Sequence, residues 1–300
     1  MSSIEILDRA TASAPPGEQR RDSPPAPRPE LVIRPGRGWS AINLLELWRF
    51  RDLLLTLGIR DLKLRYKQTA LGIIWVILQP LIAAGVFSFV FGKIAGLKAP
   101  NGAPYFLFCY TGQIAWSLFS STLTKSSGCL IGNQQLISKV FFPRLILPLS
   151  TVPSVLVDFL VAALMLAVLL VSYHVPVTPR LALLPAWIAM LLAMSLGAGL
   201  LTSALTVTYR DVQYVLPVAL QILLYASPVG YPMQSVPAHL RVWCAINPLV
   251  TPLEGFRWSI LGSGQLQGMS ITCSALLAAC ALFVGLFTFK RMERRFADVI

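Results

Sequence analysis

Long apolar runs separated by short charged stretches organise this chain from about residue 43 to its end. Crossing a hydrocarbon layer takes roughly 20 predominantly apolar residues in a helix. Runs at about 71–95, 105–123, 145–171, 183–207, 214–226 and 271–289 meet or approach that length, and they predict six spanning helices. The first contains Pro80, which predicts a kink. The fifth is short and begins near Pro217. An even number of spans puts both termini on one side.

Three stretches depart from that pattern. Residues 43–67 read "NLLELWRFRDLLLTLGIRDLKLRYK". At 100° per residue, Leu44, Trp48, Leu55, Ile59, Leu62 and Tyr66 share a face, with Arg60, Lys63, Arg65 and Lys67 elsewhere. That is the pattern of an amphipathic helix lying in a membrane interface, with Arg51 snorkelling from the edge of the apolar face. Residues 227–264 are too apolar for a solvated loop yet are broken by Pro228, Pro232, Pro237, Pro248 and Pro252. Irregular backbone at membrane depth needs protein or a water-filled path against it. Two short helices dipping in from the outer face would satisfy this, with Glu254 and Arg257 spaced to pair on the second.

The third stretch is "GNQQLISKVFFPR", residues 132–144. A helix over 134–142 gathers Leu136, Ile137, Val140 and Phe141 on one arc and Gln134, Gln135, Ser138 and Lys139 on the other. Asn133 stands at the N-cap, and Pro143 ends the helix after Phe142. The rod would be about 13 Å long. Periodicity alone leaves two readings equal: a surface turn, or a helix that docks on a cytosolic partner.

Composition supports the membrane reading. The chain is 55% hydrophobic and 13% charged, with a mean hydropathy of +0.67, where soluble domains carry roughly 25% charged residues. The net charge of +12 needs no nucleic acid. The basic residues cluster on the side that holds Arg60, Lys63, Arg65, Lys67, Lys125, Lys139, Arg144 and Lys290, so that side reads as cytoplasmic. Residues 1–40 are rich in Pro, Ala, Arg and Glu, and read as a disordered cytoplasmic tail before a membrane domain at 41–300. An apolar signal-peptide core is missing.

Chemistry-bearing motifs are few. The five cysteines form no CxxC pair, and His174 and His239 do not make a metal set. Gly92-Lys93 is followed by Ile94, so no phosphate-binding loop exists on this chain. No nucleophile, base and acid converge, which counts against a membrane enzyme such as an acyltransferase. Asp158 alone stands well inside a span. A central Asp costs about 3 kcal/mol to insert, so it should face protein or water. With no second ionisable group apparent at that depth, a hydrogen bond to a neighbouring helix is preferred to a proton relay.

The segments "RDLKLRYKQTALGIIWVILQPL", "NQQLISKVFFPRLILPLS", "VDFL", "YRDVQYVLPVALQILLYASPVGYP" and "NPLVTPLEGFRWSILG" occur in this order. Together they resemble the permease subunits of ABC-2 type polysaccharide exporters, over about residues 42–300. The resemblance implies a homodimer of six-span chains in the bacterial inner membrane, paired with two ATP-binding subunits that carry ATP and Mg. It implies a substrate glycan on a polyprenyl diphosphate, such as O-antigen, with no hydrolysis by this chain. Asn133, Gln134, Gln135, Ser138 and Lys139 would then belong to the coupling helix. Arg60, Lys63, Arg65 and Lys67 would meet the diphosphate headgroup or anionic lipid. Tyr231, Pro232, Asn247 and Pro248 would belong to re-entrant outer gate helices, and Trp116, Phe119, Tyr214 and Tyr225 would line the path. An ABC-2 type small-molecule efflux permease is the alternative within this class.

Overall fold

The computed structural model describes residues 48–67, 72–140, 142–176, 178–237, 239, 241, 244, 246–264, 266 and 268–293. They belong to one unit, Ser40–Ile300. The proposed tail at 1–40 and the basic residues Arg294 and Arg295 lie outside the described residues. So do residues 43–47 of the amphipathic stretch.

The described residues are helical, with no strand among them. In chain order the helices are α1 (Arg51–Lys67), α2 (Gly72–Phe87), α3 (Tyr105–Gly132), α4 (Gln134–Lys139) and α5 (Ile146–Ser172). Then follow α6 (Leu184–Thr208), α7 (Val212–Ala226), α8 (Val250–Leu261) and α9 (Gly268–Met292). A π-helical stretch, Ser88–Ile94, continues α2. Pro80, Pro153 and Pro217 all lie within helices.

Among the described residues, four helices are long and apolar enough to cross a membrane: Ile74–Ile94, Ile146–Ser172, Pro179–Thr208 and Gly268–Met292. The predicted second span, α3, is longer than expected at 28 residues, yet it is not among those four. Its polarity has a structural reason. α3 is the centre of the bundle, with α5 and α6 packed along it and α8 and α2 against its first half. Being wrapped by protein, it can carry polar groups that lipid would penalise. Thr111 and Thr122 donate back to the Leu107 and Leu118 carbonyls, each at 2.7 Å. Ser126 meets Thr151 of α5 at 3.2 Å, and Ser127 meets Thr206 of α6 at 3.4 Å. The predicted fifth span, α7, has 15 residues and is about 22 Å long, short of the hydrocarbon thickness.

Close packing relies on glycine where backbones touch. A Cβ on Gly285 of α9 would stand 2.1 Å from the Gly197 carbonyl oxygen of α6, so this crossing admits no side chain at either position. α1 lies along the first half of α5. A Cβ on Gly58 would be 3.1 Å from the Ser150 carbonyl oxygen. This placement adds a protein contact to the sequence reading of α1. Its protein-facing side is Leu57 and Gly58, whereas Trp48, Leu55 and Ile59 are about half exposed or more. The predicted stripe faces outward at Trp48, Leu55 and Ile59, whereas its last members, Leu62 and Tyr66, are half-buried, and a second, shorter apolar face holds the helix to α5.

Candidate functional site

The stretch that punctuates the chain at 132–144 is a helix of six residues, α4, about 9 Å long. It is shorter than predicted because Val140 is already extended, with φ −129°. Val140 is exposed, so it does not join the apolar arc. Phe141 lies outside the described residues, and Phe142 is buried. Leu136 and Ile137 pack on a cluster that includes Leu57, Leu145, Ile146, Leu147 and Phe289. Gln134, Gln135, Ser138 and Lys139 are all exposed, forming a polar edge on this end of the bundle.

Asn133 occupies the N-cap position, but its side chain makes no capping hydrogen bond. Its amide donates to the Cys129 carbonyl at 2.9 Å, and its Oδ1 accepts from the Arg60 guanidinium at 2.7 Å. Arg60 is steadied by Asp61, 3.0 Å away. The far side of α4 is tied as well. The Arg144 guanidinium donates to the Glu293 carbonyl at 2.7 Å, and the Arg144 backbone N–H donates to the Glu293 carboxylate at 3.2 Å. Lys290 pairs with the same carboxylate at 2.8 Å.

The acid inside α5 is not isolated, which corrects the expectation that no ionisable partner shares its depth. Asp158 pairs with Arg65 of α1 and, at 3.2 Å, with Lys125 of α3. Both cations meet the same carboxylate oxygen, Oδ2. The Tyr66 hydroxyl donates to Oδ1 at 2.7 Å, and Lys125 also donates to Ser154 Oγ at 3.0 Å. Burial, followed by its bond to Asp158, pushes the Tyr66 hydroxyl up to about 12, so it remains a proton donor at neutral pH. Lys125 is the twenty-first residue of α3, so about 30 Å of helix separates it from Tyr105. That is one hydrocarbon thickness. The four basic residues in the second half of α1 thus divide: Arg60 holds Asn133, Arg65 holds Asp158, and Lys63 and Lys67 are exposed.

A second polar site lies about 20 Å further along α3, beside Gly112. The chain after α7 turns inward, and Ser227, Pro228, Val229 and Gly230 are all buried. Arg257 of α8 donates to the Pro228 and Val229 carbonyls at 2.8 and 2.9 Å. Its guanidinium carbon sits 3.8 Å from the centre of the Phe108 ring. Arg257 is 2% exposed, and its Nε has no hydrogen-bond partner among the described residues. No ion pair joins it to Glu254 among the described residues; carbonyls and an aromatic face take that role. Gly112 makes room for it, since a Cβ there would lie 2.3 Å from the guanidinium. The next carbonyl, Gly230, accepts from Tyr105 at 2.9 Å and Cys109 at 3.5 Å.

The predicted outer-gate residues gather around this turn. The Asn247 amide donates to Ser227 Oγ at 2.9 Å, and its Oδ1 receives the Leu249 N–H at the entry to α8. Pro248 is exposed and Pro232 buried. The Tyr231 hydroxyl donates to the Tyr225 carbonyl at 3.0 Å, and its ring meets Phe91 edge-on. The aromatics proposed to line a path separate into two groups. Tyr214 and Tyr225 are exposed on α7. Trp116 and Phe119 are buried against each other in the core, 5.7 Å between centroids, so packing inside one chain accounts for them.

Sequence reasoning missed Lys125 as a partner of Asp158, Arg257 as a buried cation and the Arg144–Glu293 tie. The only hint for Arg257 was a charge on an apolar, proline-broken segment. All five cysteines are free thiols, and the described residues hold no cluster of three or more metal-binding side chains.

Similarity to known proteins agrees with this arrangement. Residues 52–261 match the family pattern described as ABC-2 type transporter. The O-antigen export system permease protein RfbA of Klebsiella pneumoniae is 29% identical over 254 residues, which is 83% of this chain and 95% of that protein. The protein of the same name from Myxococcus xanthus is 26% identical, over 85% of this chain and 98% of its own length. The polysialic acid transport protein KpsM of Escherichia coli is 28% identical, over 79% and 92% respectively. With the family match spanning most of the bundle and four apolar helices of spanning length, the chain is a multi-pass membrane protein that belongs to the ABC-2 type transporter family.

Proposed function

We propose that this chain is the membrane permease of an ATP-driven exporter that carries a polyprenyl-diphosphate-linked polysaccharide across the bacterial inner membrane. The observation that carries this reading is similarity to polysaccharide-export permeases along nearly their whole length. The sequence lacks a phosphate-binding loop, so ATP and Mg would bind on a separate subunit. The exposed edge of α4 is the surface proposed to dock there, with Gln134, Gln135, Ser138 and Lys139 presented outward and Leu136 and Ile137 turned to the bundle.

In this reading the α1/α4 end faces the cytoplasm, both termini lie on that side, and six helices cross. The two beyond the strongly apolar set are α3, sheathed by protein, and α7. The outward apolar stripe of α1 would rest in lipid, with Lys63 and Lys67 near headgroups. The exposed face of α7, with Tyr214, Val215, Val218, Ile222 and Tyr225, would meet a second copy across the path. Aromatic faces with hydroxyl groups suit a sugar chain. The turn at Ser227–Gly230 and α8 would form the outer gate. Movement of α4 driven by ATP would reshape the path through the helices joined to it.

The test is deletion of the gene followed by lipid extraction. The expected result is a lipid-linked glycan accumulating inside the cell, restored to the surface by the wild-type chain. Normal surface glycan in the deletion strain, with a small molecule retained instead, would replace this reading by the small-molecule efflux alternative.

A further inference from the structure

We infer that a small pocket beside the end of α8 is a binding site for one water molecule, which accepts a hydrogen bond from Arg257 Nε and donates to the Glu254 carboxylate. The buried cation thereby gains a counter-charge through a water rather than by direct contact. Glu254 is then a positioning residue for Arg257.

Local sequence builds the pocket. α8 runs out into Gly262, Ser263 and Gly264. The two glycines have φ of +65° and +117°, in the region that favours glycine, so the chain folds back past the end of the helix. The Asn101 amide donates to the Gly262 carbonyl at 2.8 Å and fixes this turn. Ser263, between the glycines, is 2% exposed, and its hydroxyl has no hydrogen-bond partner among the described residues. With Arg257, Glu254, Phe108, Pro100 and Pro232 it lines a pocket of about 10 Å³.

Size, chemistry and charge select the occupant. A pocket of this volume matches one water and is too small for a sugar ring or a phosphate group. Arg257 Nε offers a donor, the Glu254 carboxylate offers acceptors, and the Ser263 hydroxyl can serve as either. A buried water is held by about two to four such partners. The Pro228 and Val229 carbonyls engage Arg257 Nη2, and Phe108 covers its ring-facing side. Those groups carry no net charge, and they leave the Nε edge unanswered. An anion in the pocket would stand beside a carboxylate, and a cation beside a guanidinium. A neutral molecule that both accepts and donates suits both walls. A bridging water binds nearly as well as a direct hydrogen bond. It lets Glu254, three residues earlier on the same helix, answer Arg257 without drawing it away from the turn.

The experiment is structure determination of the purified full-length chain in lipid nanodiscs, at a resolution where waters are visible, joined to thermal unfolding of variants. The expected result is a density peak within about 3.2 Å of both Arg257 Nε and a Glu254 oxygen. Glu254→Gln keeps the shape and removes the charge, and it should lower Tm by about 3 °C. In an Arg257→Met background the same substitution should change nothing further. Replacing chloride by gluconate at constant ionic strength should leave Tm unchanged. A direct Arg257–Glu254 ion pair, a pocket without density, or additive losses in the double variant would overturn the inference. A Tm that falls without chloride would also overturn it, by marking the occupant as an anion. These readouts are independent of what the chain exports.

Discussion

Two ionic groups sit in an otherwise apolar bundle, about 20 Å apart along α3, and they are solved differently. Asp158 is answered by opposite charges, Arg65 and Lys125, that remain 41% and 30% exposed. Arg257 is almost fully buried and is answered by neutral carbonyls and a ring face. The first arrangement leaves a partly hydrated cluster with surplus positive charge, whose contacts can exchange at modest cost. The second leaves a desolvated cation that can change partners only if the backbone at Pro228 and Val229 moves with it. One site suits an element that shifts; the other suits a clasp that is shut or open.

The comparison can be broken most decisively at Arg257. Arg257→Met strips two buried carbonyls of their donor, and a loss of about 3 kcal/mol is expected. Thermal unfolding in detergent would read it, and stability equal to wild type would show that the clasp holds nothing. Gly112→Ala approaches the same site from the other helix. With a Cβ 2.3 Å from the guanidinium and 2.5 Å from the Val229 carbonyl oxygen, it should cost about 2 kcal/mol and be relieved by Arg257→Lys. If it is neutral, the close approach is not maintained in the membrane.

At the Asp158 cluster the expected effects are smaller. Asp158→Asn leaves Arg65 and Lys125 facing each other without a counter-charge, at a cost of about 1–2 kcal/mol that shrinks in high salt. A salt-independent loss would mean the cluster is drier than its exposure indicates. Tyr66→Phe removes one donor to Oδ1 and should cost about 1 kcal/mol, with no change across neutral pH because the hydroxyl stays protonated there. The smallest effect on stability is expected for Gln135→Glu with Lys139→Glu on the exposed edge of α4, within about 0.5 kcal/mol. That pair should nonetheless abolish stimulation of the ATP-binding subunit. Unchanged export would remove α4 as the docking surface.

Much of the architecture was legible in the sequence because hydrophobic length and periodicity are local properties. The starts and ends of α5, α6 and α7 fall within a few residues of the apolar runs at 145–171, 183–207 and 214–226. The polar and apolar edges of α4 follow from its periodicity up to Lys139, but its end comes three residues before the one that Pro143 predicted. For α1 the periodicity showed the strip at Trp48, Leu55 and Ile59 but not the contact of Leu57 and Gly58 with α5, because the helix has two apolar strips. A moment summed over the helix cannot say which strip meets protein when both lipid and protein favour apolar surface.

What the chain alone determined, then, is a set of apolar helices, a charged end, a short amphipathic rod between two of them and the lack of a phosphate-binding loop. Those follow from residue chemistry and spacing of a few positions. Only the tertiary structure decided which charges meet. Arg65 and Asp158 are 93 residues apart, Lys125 and Asp158 are 33 apart, and Arg257 finds carbonyls 28 and 29 residues earlier. No periodicity encodes such pairs. They form because burying a charge is too costly to leave unanswered, and the fold supplies whichever donor or acceptor its helix crossings bring within reach.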